Sequence, residues 1–354
     1  MNAHHIEIDQ RKISPDYPPY IIAELSGNHN GDIERAKTLI KIAHEIGADA
    51  VKLQTYTADS LTIDTKRDEF IIKEGTWEGR NLYELYKEAH TPWNWFPELF
   101  GYARGLGLTI FSSPFDLQAV EMLEELDAPA YKIASNELTD WPLVEAVVHT
   151  NKPIILSTGT ATKEQIAQTI DFISGLASSN RLVVLHCVSA YPAPAQDSHL
   201  RTMLDLRDSF DVLHGLSDHT LGTATSVAAV ALGACVIEKH ITLDRNDGGP
   251  DSSFSLEPSE FQTLCSDARW AWESLGQIKY GGETNLQKKG IFTRQLWSTK
   301  DITAGDALSW KNVKSIRAPH HAGGETPMHY KIIIGQTARI DIAKHTPITK
   351  DLLR

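Results

Sequence analysis

The sequence predicts an α/β fold, a (β/α)8 TIM barrel followed by a small C-terminal domain. Three observations predict it. Short β-branched runs alternate with amphipathic stretches from residue 20 to about 275, which is the signature of βαβ units and a parallel sheet. There are eight such units, the number that closes a barrel. After residue 276 the pattern gives way to a Gly-rich, charged stretch and then to short strands and turns. The competing architecture, a doubly wound open sheet, usually carries a Gly-rich first turn. Here the turn after the first run, Ser26-Gly-Asn-His-Asn-Gly31, lacks GxGxxG spacing.

The runs, in order, are Tyr20–Leu25, Ala50–Thr55, Thr109–Pro114, Ala130–Ser135, Pro153–Gly159, Val183–Val188, Val212–His219 and Cys235–Thr242. Helical patterns lie between them, among others over Ile33–Ile46, Ala119–Leu126, Pro142–Thr150, Lys163–Leu176 and Thr223–Leu232. The barrel domain spans residues 1–276 and a linker 277–290, containing Tyr280-Gly-Gly-Glu. A tail domain follows at 291–354, with short strands and turns at Ile291–Thr299, Ala304–Asp306, Val313–Arg317, Ile332–Gly335 and Ala338–Ile342. The tail is too short to bury much core alone and is expected to dock on a barrel, its own or a partner's.

Polar residues gather where a barrel enzyme needs them. Glu24, Lys52, Gln54, Ser112, Ser113, Lys132, Ser135, Ser157, Ser189, Ser217, His219, Glu238 and His240 fall within or just after the C-terminal halves of the runs. Active sites of this fold lie at that rim. Side chains two apart on a strand share a face, so Lys52/Gln54, Ser217/His219 and Glu238/His240 can each point inward together. Two lysines inside apolar strands are costly unless something anionic sits between them.

The runs ending in His219 and His240 are the most informative. Singly, each imidazole could merely satisfy a partner at a strand end. As a pair, in consecutive βα units, they form a half-shell for a divalent metal.

Bulk properties exclude several classes. The N-terminal segment MNAHHIEIDQRK has no apolar h-region, and no run approaches the ~18–20 apolar residues of a membrane span. Cys187, Cys235 and Cys265 lack CxxC spacing and read as buried reduced thiols of a cytoplasmic protein. A net charge of −12 without a basic patch argues against nucleic acid. It leaves room for an anionic small molecule, because a few cations in a cleft can override the global field.

With those residues in place, the chain resembles the sialic acid synthase (NeuB) family. The resemblance rests on IIAELSGNHNGD (21–32), GADAVKLQT (47–55), SSPFD (112–116), KIASNELTD (132–140), KPIILSTGTAT (152–162) and LHCVSAYPAP (185–194). LSDHTLG (216–222), ALGACVIEKHITLDR (231–245) and GGPDSSFSLEP (248–258) complete it, and the tail resembles the family's antifreeze-like SAF domain. The segment EGTWEGRNLYELYKEAHTPWNW, ending at Trp95, and Ser189 are similar to the pseudaminic acid synthase branch.

The resemblance implies condensation of phosphoenolpyruvate with an amino-sugar aldehyde. In that branch 2,4-diacetamido-2,4,6-trideoxy-L-altrose gives pseudaminic acid and phosphate by C–O cleavage. The same-family alternatives are N-acetylneuraminate or legionaminate synthesis, and a non-catalytic sugar-binding barrel is the alternative from another class. Lys52, Lys132, Ser135, Ser157, Ser189 and Ser217 would hold phosphoenolpyruvate. His219 and His240 would hold a divalent metal, manganese by resemblance, with magnesium or cobalt as the other candidates. Glu24 and Glu137 would handle protons or sugar hydroxyls, and Tyr191, Asp251 and Arg317 would contact the sugar. Arg317 maps to an arginine that the family's tail offers to the neighbouring subunit, which implies a domain-swapped homodimer. The loop around it, Arg317-Ala-Pro-His320-His321-Ala-Gly-Gly, departs from the family's usual Arg-Pro-Gly.

Overall fold

In the computed structural model, which describes residues 5–176, 181–278, 280 and 292–354, the chain divides into two compact units, Met1–Gly276 and Gln277–Arg354. The first opens with a hairpin, β1 (Ile6–Ile8) and β2 (Arg11–Ile13), that the sequence pattern did not reveal. Eight parallel strands then close a barrel. They are β3 (Tyr20–Glu24), β4 (Ala50–Thr55), β5 (Thr109–Pro114), β6 (Tyr131–Ile133), β7 (Ile154–Ser157), β8 (Leu182–Cys187), β9 (Leu213–Asp218) and β10 (Val236–His240), with β10 hydrogen-bonded to β3. Every predicted run contains one of these strands except Val183–Val188, where β8 begins one residue earlier, at Leu182.

The helices are α1 (Ile33–Glu45), α2 (Ala58–Leu61), α3 (Leu82–Ala89), α4 (Phe96–Gly105), α5 (Leu117–Glu125), α6 (Trp141–His149), α7 (Lys163–Leu176), α8 (Arg201–Phe210), α9 (Ala224–Ala231) and α10 (Pro258–Leu275). Several begin where the sequence supplies a cap. The side chain of Asp32 accepts from Glu34 N–H, Asp116 from Ala119 N–H and Asp140 from Leu143 N–H. Among the described residues no helix is long and apolar enough to cross a membrane.

Strand parity sets the interior. Along β3 the inward residues run Tyr20, Ile22, Glu24, and along β10 Val236, Glu238, His240, so each strand is apolar at its start and polar at its end. Ile6, Ile8 and Ile13 of the hairpin join Tyr20, Ile22, Phe111 and Val183 in one buried cluster, which plugs the N-terminal end. A larger cluster lies between barrel and helices, including Leu39, Phe100, Val144, Leu206 and Phe261. Gly215 shares the inward face of β9 with Leu213, and it is glycine because a Cβ there would meet the Val236 carbonyl oxygen at 2.2 Å.

In the second unit β11 (Phe292–Ser298) pairs antiparallel with β12 (Val313–Pro319) over a small core of Leu296, Ile302, Leu308, Val313, Ile333 and Ile342. The segment expected around Ile332–Gly335 is instead mostly a helical turn, α11 (Tyr330–Ile333). Its Ile334 N–H donates to the Tyr330 carbonyl, and Gly335, at φ +99°, ends it. Most of the 277–290 linker lies outside the described residues.

Candidate active site

The C-terminal mouth of the barrel opens into a cavity of about 810 Å³. Its floor is built by parity and register. β10 sets His240 beside Glu24 of β3, and β3 sets Glu24 beside Lys52 of β4. Lys52 Nζ lies 2.6 Å from Glu24 Oε2 and 3.6 Å from Glu238 Oε1, and donates to Ser113 Oγ at 3.2 Å. Lys132 Nζ is 3.7 Å from the same Glu238 oxygen, which also accepts from Ser217 Oγ at 3.3 Å. Gln54 Nε2 donates to Glu24 Oε1 at 2.8 Å. The anion required between the two lysines is therefore supplied first by the protein's own Glu238 and Glu24.

Burial and charge divide these groups. Burial drives the Glu24 carboxyl up to about 7 against the pull of Lys52. Burial would raise Glu238 too, but Lys132 and Lys52 together hold it below the usual carboxylate range. Burial and the neighbouring Lys52 depress Lys132, although Glu238 opposes them. Glu137, on the loop after β6, is pushed by burial up to about 7, and its Oε2 has no hydrogen-bond partner.

Two hydroxyls and a thiol converge at Gly159. Gly159 N–H donates to Ser135 Oγ at 3.0 Å, and a Cβ on Gly159 would stand 2.4 Å from Ser189 Oγ and 2.9 Å from Ser135 Oγ. Glycine at 159 is what lets these hydroxyls and the Cys187 thiol approach one another, and Ser157 lines the same cavity. Parity could have flagged Cys187, which shares the inward face of β8 with Leu185.

His219 and His240 face each other with ring centroids 5.3 Å apart. His219 Nδ1 lies 3.0 Å from the Val188 carbonyl oxygen, and His240 Nδ1 lies 3.2 Å from Ser26 Oγ. A carbonyl only accepts, so His219 carries its proton on Nδ1 and leaves Nε2 as the remaining ring nitrogen. Burial and the neighbouring His219 hold His240 well below the ordinary histidine range. Burial also opposes charge on His219, but Cys187 and the Val188 carbonyl outweigh it.

The pair would offer a divalent cation two imidazole nitrogens. Among the described residues there is no cluster of three or more His, Cys, Asp or Glu that could hold a metal. Ligation at Nε2 would require His219 to give up the second proton that Cys187 and the Val188 carbonyl favour, while keeping the one on Nδ1.

Aromatic rings wall the histidines. Tyr191 lies 4.4 Å from His219, Phe254 lies 5.1 Å from His240, and Trp77 lies 5.3 Å from Tyr191, all between centroids. Trp77 comes from the long connection between β4 and β5, is pinned by its Nε1–H to the Pro250 carbonyl at 2.7 Å, and is joined by the Thr76 hydroxyl donating to the Tyr191 carbonyl. Asp251 lines the cavity; burial raises its carboxyl, against hydrogen bonds from Ser26 and the Gly27 N–H.

The cavity thus brings together Glu24, Glu137, Lys52, Lys132, Ser135, Ser157, Ser189, Ser217, His219, His240, Tyr191 and Asp251. Arg317 belongs to the second unit, exposed on β12 in register with Arg294, and His320 and His321 follow it, both exposed. Sequence reasoning missed Phe254 and Ser26 as site residues, although both stand within quoted motifs, GGPDSSFSLEP and IIAELSGNHNGD.

Comparison with known proteins accords with this geometry. The NeuB family pattern matches residues 39–280 and the SAF domain pattern residues 293–354. The chain is 43% identical to the pseudaminic acid synthase of Helicobacter pylori over 94% of its own length and 97% of that protein's. It is 37% identical to the N,N'-diacetyllegionaminic acid synthase of Campylobacter jejuni, over 90% and 95%. Among solved structures, the N-acetylneuraminic acid synthetase of Leptospira borgpetersenii, in complex with citrate, superposes with a TM-score of 0.72 at 30% identity, covering 81% of this chain and 95% of that one. A closed parallel barrel with this polar mouth, matched along nearly its whole length, belongs to the NeuB family and carries the SAF domain at its C-terminus.

Proposed function

We propose that the chain condenses phosphoenolpyruvate with 2,4-diacetamido-2,4,6-trideoxy-L-altrose to give pseudaminic acid and phosphate. The near-full-length similarity to the Helicobacter pylori pseudaminic acid synthase carries this reading. The cavity supplies the chemistry. Lys52 and Lys132, with the hydroxyls of Ser135, Ser157, Ser189 and Ser217, receive the phosphate and carboxylate of phosphoenolpyruvate. These cations are preorganised by the barrel, so little reorganisation is needed as charge shifts.

Carbon 3 of phosphoenolpyruvate forms the new C–C bond at the aldehyde carbon. Water then adds at carbon 2, and the tetrahedral intermediate loses phosphate by breaking the C–O bond. Glu24 and Glu137, both pushed up to about 7, are able to hold or release a proton near neutrality beside these atoms. His219 and His240 would hold a divalent cation, manganese in this reading and magnesium or cobalt in its variants, which would supply Lewis-acid polarisation of a carbonyl. The wall of Trp77, Tyr191 and Phe254 suits the methyl groups of an N-acetylated deoxy sugar, and Asp251 suits its polar edge.

The test is phosphate release with manganese and phosphoenolpyruvate across three sugars: the trideoxy-altrose, N-acetylmannosamine and the legionaminate precursor. Turnover of the first is expected. Its failure, with release on either other sugar, would move the chain to another branch. Tight sugar binding without phosphate release on any would favour the non-catalytic barrel.

In this reading the protein works in the cytoplasm as a domain-swapped homodimer, with Arg317 reaching the sugar in the neighbouring subunit's cavity. Mixing inactive His219→Ala and Arg317→Ala subunits is then expected to restore activity. Mixtures as dead as their parents would mean that each chain completes its own site.

A further inference from the structure

We infer that the apolar side of α3, together with Ile72, is a specificity-determining wall that receives a methyl-bearing substituent of the sugar and disfavours a hydroxyl in its place. The inference deepens the proposed reaction and rests on the barrel mouth being its sugar site. Leu82, Leu85, Tyr86 and Ala89 stand at i, i+3, i+4 and i+7 of α3, so they share one side of the helix. All four line the cavity. An amphipathic helix normally turns that side to a core. Here, among the described residues, none of the four belongs to the buried apolar clusters of the barrel unit, although Leu85 and Ala89 are buried.

The helix is held in that attitude at several points. Asn81 caps it, accepting from Tyr83 N–H at 3.0 Å, and its side-chain amide donates to the Thr65 carbonyl at 2.8 Å. Its last turn abuts the loop after β3, where a Cβ on Gly27 would stand 3.1 Å from Ala89 Cβ. Tyr86 meets Tyr56, which follows β4, edge-on with centroids 6.0 Å apart. Burial raises the Tyr86 phenol above its ordinary range and the Glu137 carboxylate adds to the shift, so this side of the helix borders Glu137. Ile72, from the loop before α3, lines the cavity too. Its N–H donates to the Arg80 carbonyl at 2.9 Å and its carbonyl accepts from Gly79 N–H at 2.8 Å, contacts that do not depend on its side chain. The same loop adds Glu74 and Thr76 to the cavity, but Glu74 is exposed and the Thr76 hydroxyl is engaged by the Tyr191 carbonyl. Leu82, Leu85 and Ile72 pack well against a methyl and offer a hydroxyl no hydrogen bond, so a hydroxyl placed there loses water without replacement. The trideoxy-altrose carries methyls on both acetamido groups and at its deoxy end. It can therefore meet this wall and the aromatic one of Trp77, Tyr191 and Phe254 together. N-acetylmannosamine has hydroxyls in place of the second acetamido group and the deoxy methyl.

Leu82→Gln and Ile72→Gln each place an amide on this wall at a half-buried position, and glutamine suits a helix. Both variants are expected to melt close to the wild type. The kcat/KM for the trideoxy-altrose is expected to fall roughly 10–100-fold, while that for N-acetylmannosamine stays level or rises and the KM for phosphoenolpyruvate is unchanged. Lys87→Gln, on the exposed side of the same helix, should leave these constants unaltered. Saturation-transfer NMR of the bound sugar gives a readout without turnover. One methyl signal is expected to weaken selectively in Leu82→Gln, while the others keep their saturation against the aromatic wall.

Variants that lower kcat/KM for both sugars alike, or for neither, would overturn the inference. So would a wild type that prefers N-acetylmannosamine to both trideoxy sugars. Preference for the legionaminate precursor would sink the altrose assignment alone, because that sugar carries the same substituents, and the same variants then test the wall on it. If no sugar is turned over, the proposed reaction falls, and the methyl saturation still decides: no selective loss in Leu82→Gln, or no saturation of any sugar, removes α3 from the sugar's contacts.

Discussion

Lys239→Met is expected to cost about 3–5 kcal/mol of stability, the usual penalty for removing one partner of a buried ion pair. Lys239 and Asp218 sit on adjacent strands β10 and β9, each 1% exposed at the side chain, with Nζ 2.8 Å from Oδ2. They alternate with Glu238, His240, Ser217 and His219, so they face away from the cavity, toward α9. Burial alone would raise the Asp218 carboxyl, but Lys239, Ser226 and the Thr220 N–H hold it below the usual range. Ser226 Oγ donates to it at 2.5 Å, and Lys239 also donates to the Thr220 carbonyl at 2.6 Å. Without the ammonium, the carboxylate stays buried and under-compensated. Thermal melting should fall by on the order of 10 °C. The double variant Asp218→Leu/Lys239→Met should recover much of that, because it removes both charges. A single variant that melts like the wild type would mean that Asp218 is neutral in the fold.

Lys132→Met should give the opposite split. Its charge is already disfavoured by burial and by Lys52, and Glu238 keeps Lys52 and Ser217 as partners when Lys132 is gone. Melting is therefore expected to stay level or rise. The phosphoenolpyruvate kcat/KM is expected to fall roughly 10²–10³-fold, as when one preorganised donor is removed from a reacting anion. Steady-state kinetics with varied phosphoenolpyruvate, run beside a melting curve, checks both halves. An unchanged kcat/KM would remove Lys132 from the substrate's contacts. The same residue type, in strands of one barrel, thus has opposite consequences according to which face it lies on.

That contrast bears on what the sequence made legible. The eight strands were readable because β-branched runs such as Ala50–Thr55 and Val183–Val188 are bounded by helical patterns. Parity then identified which polar residues share an inward face, and the structure places Lys52, Lys132, Glu238 and both histidines around one cavity. The hairpin Ile6–Ile13 was not readable. Each of its strands has only three residues, and its alternation has meaning only against a barrel end that needs covering. Nor was the self-neutralisation of the lysines by Glu24 and Glu238, since pairing across strands depends on register, which periodicity does not specify. Ser26 hid for a third reason. A left-handed serine in a turn resembles any other polar loop residue until its buried partners are known.

The carboxylate shared by the two lysines gives ligand binding a proton inventory. Glu24 already sits near neutrality, and Glu238 is ionised only because Lys132 and Lys52 are beside it. An incoming anion draws on those ammoniums and adds negative charge nearby, and both effects raise the carboxyls further. The enzyme should therefore take up a proton as phosphoenolpyruvate binds. By linkage its affinity should weaken as pH climbs through about 7, the value to which Glu24 is pushed. Calorimetric titrations in buffers of unequal ionisation enthalpy would read that uptake directly, and identical heats across buffers would mean that the pocket receives its substrate without moving a proton.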